Sequence, residues 1–79
     1  MKFEKRPMGV LTFHTTAGAM EAEAVCAARG IPGRLLPVPR RLTADCGIAW
    51  ASPPAQRPAL EALAEEGRLD PAGIWDLEL

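Results

Sequence analysis

The stretch Arg34-Leu35-Leu36-Pro37-Val38-Pro39-Arg40-Arg41-Leu42-Thr43-Ala44-Asp45-Cys46-Gly47-Ile48-Ala49-Trp50-Ala51-Ser52 lies mid-chain, and its reading decides the fold. Arg34 to Pro39 reads as an extended segment. Its two prolines cannot donate to a ladder, which places it at a sheet edge. Gly47 to Ser52 reads as a short apolar strand, stopped by Pro53-Pro54. Between them a short polar loop presents Arg40, Arg41 and Cys46.

Working outward, Gly9-Val10-Leu11-Thr12-Phe13-His14 is rich in β-branched and aromatic residues and predicts a first strand. Thr15 or Thr16 can cap the helix that follows, because a hydroxyl can accept from its unpaired amides. Ala17 to Arg29 is dense in Ala, Glu and Met, all good helix formers. Ala17, Met20, Ala24, Ala27 and Ala28 approximate an apolar face, and Gly30 ends the helix. Beyond the prolines a second helix is expected from about Ala55 to Gly67, with Leu60, Leu63 and Ala64 inward. Pro71 and Gly73 then mark a turn into a final alternating strand, Ile74 to Leu79.

The order is βαββαβ, which predicts an α+β, ferredoxin-like sandwich: a four-stranded antiparallel sheet with two helices on one face. In the usual strand order, 4-1-3-2, strands one and three are neighbours. The end of strand one, the start of the first helix and the loop between strands two and three then share one end of the sheet. His14, Thr15, Thr16, Arg40, Arg41 and Cys46 should converge there.

Composition narrows the function classes. The 79 residues suit a single domain, with residues 1–8 expected as a flexible start. Such a chain buries only about 60–65% of its unfolded surface, so a site should lie at a surface edge. A net charge of −1 provides no global field to recruit nucleic acid, and Glu4 interrupts the small basic start Lys2, Lys5, Arg6. No apolar run approaches the roughly 18 residues of a membrane span, and no signal peptide is evident. A cytoplasmic location is expected, where two cysteines twenty positions apart read as free thiols rather than a disulfide. Those cysteines and one histidine lack the close spacing of a zinc site, so neither metal nor cofactor is expected.

Cys46 is where chemistry is expected. A thiol with pKa about 8.5 is only a few per cent ionised at pH 7, and lowering that value by about 1.5 makes it half ionised. The change corresponds to about 2 kcal/mol, within reach of a helix N-terminus plus a partly exposed arginine. Gly47 lets the backbone approach closely and leaves the sulfur open, while Asp45 opposes the thiolate unless an arginine pairs with it. The plainer reading of Cys46 is a small hydrophobe at a strand start. His14 could serve as a base or a donor to sulfur, or simply stand exposed at the strand end. Arg40 and Arg41 could grip an anion bidentately or line a solvated loop. Cys26, among alanines in the helix, reads as a buried structural thiol; a resolving role requires its Cα within about 7 Å of that of Cys46. Trp50 and Trp75 read as core or interface residues.

The combination of Thr12-Phe13-His14-Thr15-Thr16, the Ala19–Ala24 helix, Gly30-Ile31-Pro32, Pro37-Val38-Pro39-Arg40 and Cys46-Gly47-Ile48-Ala49 resembles the selenium/sulfur (Se/S) carrier protein-like family, small domains long catalogued as of unknown function. The resemblance spans about residues 9 to 75. Its Pro-Arg and Cys-Gly pieces are more specific than its helix. It implies a carrier thiol at Cys46 that holds sulfur as a persulfide or selenium as a selenopersulfide, in a small cytosolic bacterial or archaeal protein. Arg40, Arg41, Gly47, Thr15, Thr16 and His14 are then candidates to stabilise the thiolate or bind an anion. Family loops commonly carry serines where this chain has Thr43-Ala44-Asp45.

The leading expectation is therefore a carrier rather than a catalyst, meeting sulfur or selenium donor and acceptor proteins. An alternative is a small-ligand-binding or regulatory ferredoxin-like module without thiol chemistry, an inference from fold alone. A thiol-dependent reductase comes last, because there is no CxxC pair. An apolar terminal strand at a sheet edge also invites homodimer formation.

Overall fold

The structure is a computed structural model, and it describes residues 6–39, 42 and 47–79. Its elements run β1 (Pro7–Phe13), α1 (Thr16–Ala28), β2 (Arg34–Pro37), β3 (Ile48–Ser52), a single 3-10 turn (Pro54–Gln56), α2 (Arg57–Glu65) and β4 (Pro71–Glu78). The strands form one four-stranded sheet ordered β2-β3-β1-β4, and each neighbouring pair is antiparallel. The expected ferredoxin-like α+β architecture is thus what the chain adopts.

Local chemistry accounts for the element ends. Thr15 is the N-cap of α1, its Oγ1 accepting from the Gly18 amide at 3.1 Å. Gly30 leaves α1 at φ 69°, and the Ile31 amide donates back to the Cys26 carbonyl at 2.9 Å. That left-handed step is where an L side chain would be strained. Pro37 ends β2, which lies at the sheet edge as its prolines require.

The sheet has two apolar faces. On one, Leu11, Phe13 and Trp50 pack with Ala19, Ala22 and Cys26 of α1 and Leu60 and Leu63 of α2. On the other, Val10, Ala49 and Ala51 are fully buried beneath half-buried Met8, Leu36, Val38, Leu42, Leu77 and Leu79. Strand alternation separates the sets: Leu11 opposes Trp50, whereas Val10 opposes Ala51.

Several sequence expectations are corrected. The buried face of α1 is Ala19, Ala22 and Cys26, while Ala17, Met20, Ala24, Ala27 and Ala28 are all exposed. Alanine occurs on every side of this helix, so periodicity gave no contrast, and packing on Phe13 selected the face. Ala64 of α2 is only half-buried beside Leu60 and Leu63. Pro71 and Gly73 lie within β4 instead of in a turn before it. Pro71 is the first residue of an edge strand, where a missing donor is tolerated. A Cβ at Gly73 would come within 2.8 Å of Trp75 Nε1, so the indole occupies the space a side chain there would need. Of the start expected to be flexible, Pro7 and Met8 belong to β1, and Arg6 exchanges both backbone hydrogen bonds with Leu79 at 2.9 Å. Residues 1–5 lie outside the described residues.

Candidate functional site

The sheet register assembles one end of the molecule. Thr12 opposes Ala49, so continuing the pair outward sets His14 opposite Gly47 where β1 gives way to α1. On the other side of β3, Pro37 opposes Ile48, and the Val38 amide donates to the Gly47 carbonyl at 3.0 Å. Val38 and Gly47 therefore face each other at this end of the sheet, the end at which α1 begins.

Three of the expected site residues, Arg40, Arg41 and Cys46, lie outside the described residues, as does Asp45. The remaining four share this sheet end. His14, Thr15, Thr16 and Gly47 are all exposed. Thr15 Oγ1 is committed to capping the Gly18 amide, so its lone pairs serve the helix while its hydroxyl proton stays available to an anion. Among the described residues, a Cβ at Gly47 would meet nothing within 4 Å.

Leu42 is the loop residue that sequence reasoning passed over. Its amide donates to the Pro39 carbonyl at 3.0 Å, and its side chain packs against the Val10, Ala49 and Ala51 cluster on the face away from the helices. A lone leucine within a polar loop was the available signal. Burying even half of it is worth about 1 kcal/mol, which holds Leu42 itself on that face.

Cys26 occupies a different environment. It is a free cysteine and fully buried between α1 and the sheet. Burial raises its thiol pKa, disfavouring the thiolate. It stands ten residues beyond Thr16, about 15 Å along the helix from the N-terminal end. A structural role accounts for all of these features.

Trp50 lies in the helix-side core, whereas Trp75 stands on the other face of the sheet, opposite Val10. Trp50 Nε1 donates to Ser52 Oγ at 2.8 Å; Trp75, 40% exposed, donates to Thr12 Oγ1 at 3.2 Å. Among the described residues, no group of three or more His, Cys, Asp and Glu side chains is arranged to hold a metal ion, and no helix is long and apolar enough to cross a membrane.

Comparison with known proteins adds to this geometry. No curated protein gives a significant match to the chain. No solved structure does so either. A family model described as "Putative Se/S carrier protein-like" matches residues 8–76, from the second residue of β1 to within two residues of the end of β4. By that match over nearly its whole length, the chain belongs to the Se/S carrier protein-like family.

Proposed function

We propose that the protein is a cytoplasmic sulfur or selenium carrier that holds its cargo on Cys46 and exchanges it with partner proteins. The family membership supports this reading. The observation that carries it is the sheet end where Val38 and Gly47, which precede and follow Cys46 in sequence, pair at the end that also bears the Thr15-capped start of α1. A helix N-terminus favours an anion by up to about 1 kcal/mol at an exposed position, and the first-turn amides and the Thr15 hydroxyl can donate to one.

In the proposed step, the Cys46 thiolate attacks the outer sulfur of a donor's cysteine persulfide. The donor S–S bond breaks, the donor cysteine leaves as a thiolate, and Cys46 becomes a persulfide anion. A nucleophile on the acceptor then takes the outer sulfur and regenerates the Cys46 thiolate. Selenium follows the same route as a selenopersulfide. Arg40 and Arg41 are proposed to pair with the anionic cargo, with His14 and Thr16 as further donors. Exposed Gly47, around which a Cβ would meet nothing within 4 Å among the described residues, is proposed to leave room for a partner's backbone to approach. The eight-residue edge strand β4 is the proposed surface for a homodimer, because it carries proline only at its first position whereas β2 is short and ends in one.

The test is persulfide loading from a cysteine desulfurase, followed by intact mass. Wild type and Cys26→Ala should gain one sulfur atom, and Cys46→Ser should gain none. Loading retained in Cys46→Ser, or absent from wild type with every persulfide or selenopersulfide donor tried, would overturn the proposal.

A further inference from the structure

The end of the sheet opposite the Cys46 loop carries a second feature, and nothing in the carrier reading uses it. There, a cleft of about 560 Å³ is lined by Arg6, Met8, Gly33, Arg34, Ala51 and Leu79, together with two prolines. Its volume falls within the range of small-molecule sites, about 300–1,000 Å³.

Strand alternation sets the arginines over an apolar floor. Arg34 opposes Ala51, which opposes Val10. Arg6 precedes Val10 by four residues and so shares its side of β1. Both arginines are exposed, and among the described residues neither forms an ion pair; Arg57, by contrast, is bound to Glu61 and Asp76. Two guanidinium groups around one cleft raise its positive potential, which an anion relieves.

The backbone beneath each arginine is held firmly. Ser52 Oγ donates to the Pro32 carbonyl at 2.8 Å while accepting from Trp50 Nε1. A Cβ at Gly33 would lie 2.5 Å from the Ala51 carbonyl oxygen, so only glycine fits this entry to β2. Arg6 is fixed by its paired backbone hydrogen bonds to Leu79. Such preorganisation lowers the ordering cost of binding.

We infer that this cleft binds an amphipathic carboxylate, its head paired with the Arg6 and Arg34 guanidinium groups and its apolar body lying on the half-buried Met8 and Leu79. The planar guanidinium fork matches a carboxylate bidentately, and the apolar floor calls for more than a bare inorganic anion. The site is independent of Cys46, so its failure would leave the carrier reading untouched.

The experiment is titration of the full-length, isotope-labelled protein with octanoate, followed by amide chemical shifts. Saturable shifts at Arg6, Gly33, Arg34 and Ala51 are expected in the millimolar range or below. Arg6→Gln and Arg34→Gln, both at exposed positions, should retain the wild-type spectrum elsewhere and weaken binding about fivefold to tenfold each. Octanol and inorganic phosphate should bind much more weakly. No saturable shifts at these residues, binding unchanged in both variants, or equal binding of octanol or phosphate would overturn the inference.

Discussion

Trp50 Nε1 donates to Ser52 Oγ at 2.8 Å, joining two residues on the same face of β3. The same Ser52 hydroxyl donates onward to the Pro32 carbonyl, so one small side chain satisfies two polar groups around a buried corner. Ser52→Ala should leave the Trp50 indole N–H and the Pro32 carbonyl without these partners. A loss of about 2 kcal/mol or more is expected, read from the midpoint of urea unfolding. A change within experimental scatter would mean that water replaces the hydroxyl.

The glycines that precede β2 and β3 should respond in opposite ways. At Gly33 an added Cβ would meet backbone, the Ala51 carbonyl oxygen at 2.5 Å, and also the Trp50 ring. Gly33→Ala is expected to cost about 3 kcal/mol, the upper part of the range for overpacking. Gly47→Ala meets nothing within 4 Å among the described residues and should stay within about 0.5 kcal/mol of wild type. Thermal unfolding of the pair checks both, and sulfur loading of Gly47→Ala shows whether a partner needs the open space.

Thr15 holds the start of α1 through its hydroxyl. Thr15→Ala should lose about 1 kcal/mol, and Thr15→Ser should recover most of it. Because the same turn borders the proposed carrier loop, Cys46 alkylation in Thr15→Ala is expected to slow at neutral pH. An unchanged rate would separate the helix start from thiol activation.

Cys26 predicts a specific pH dependence. Its thiol pKa is raised in the folded state by burial, so the folded chain retains a proton that the unfolded chain releases above about pH 8.5. The thiol's contribution to stability is therefore complete below that value and declines as pH rises through the folded pKa. Wild type should lose stability relative to Cys26→Ala across this alkaline window, with a slope approaching about 1.4 kcal/mol per pH unit. Denaturant midpoints of the two proteins between neutral and alkaline pH provide the check. Alkylation of Cys26 should proceed only through opening of the α1–sheet core.

How much of the molecule was legible in its residues differs from element to element. Thr15, Gly30 and Pro37 act through their own backbone and hydroxyl chemistry, so the helix cap, the helix stop and the edge strand could be read locally. The order of strands and helices followed from the same signals. Cys26 could be read too, because a cysteine among alanines on a helix is most economically buried. The family resemblance was legible in the motif Pro37-Val38-Pro39-Arg40 with Cys46-Gly47, and the family match over residues 8–76 bears out that membership.

Other features depended on partners distant in sequence. An alanine-rich helix has no apolar contrast, so only Phe13 and Leu11 beneath it could select Ala19, Ala22 and Cys26 as its inner face. Gly73 resembles a turn residue until Trp75 is seen lying against it. Arg6 and Arg34 are twenty-eight positions apart, and they share a cleft because β1 and β2 flank β3 in a fixed register. Residue chemistry acts over a few neighbours, so the sequence by itself determined the elements and their ends. Packing and register couple residues across the chain, and they alone decided which faces were buried and which charges came together.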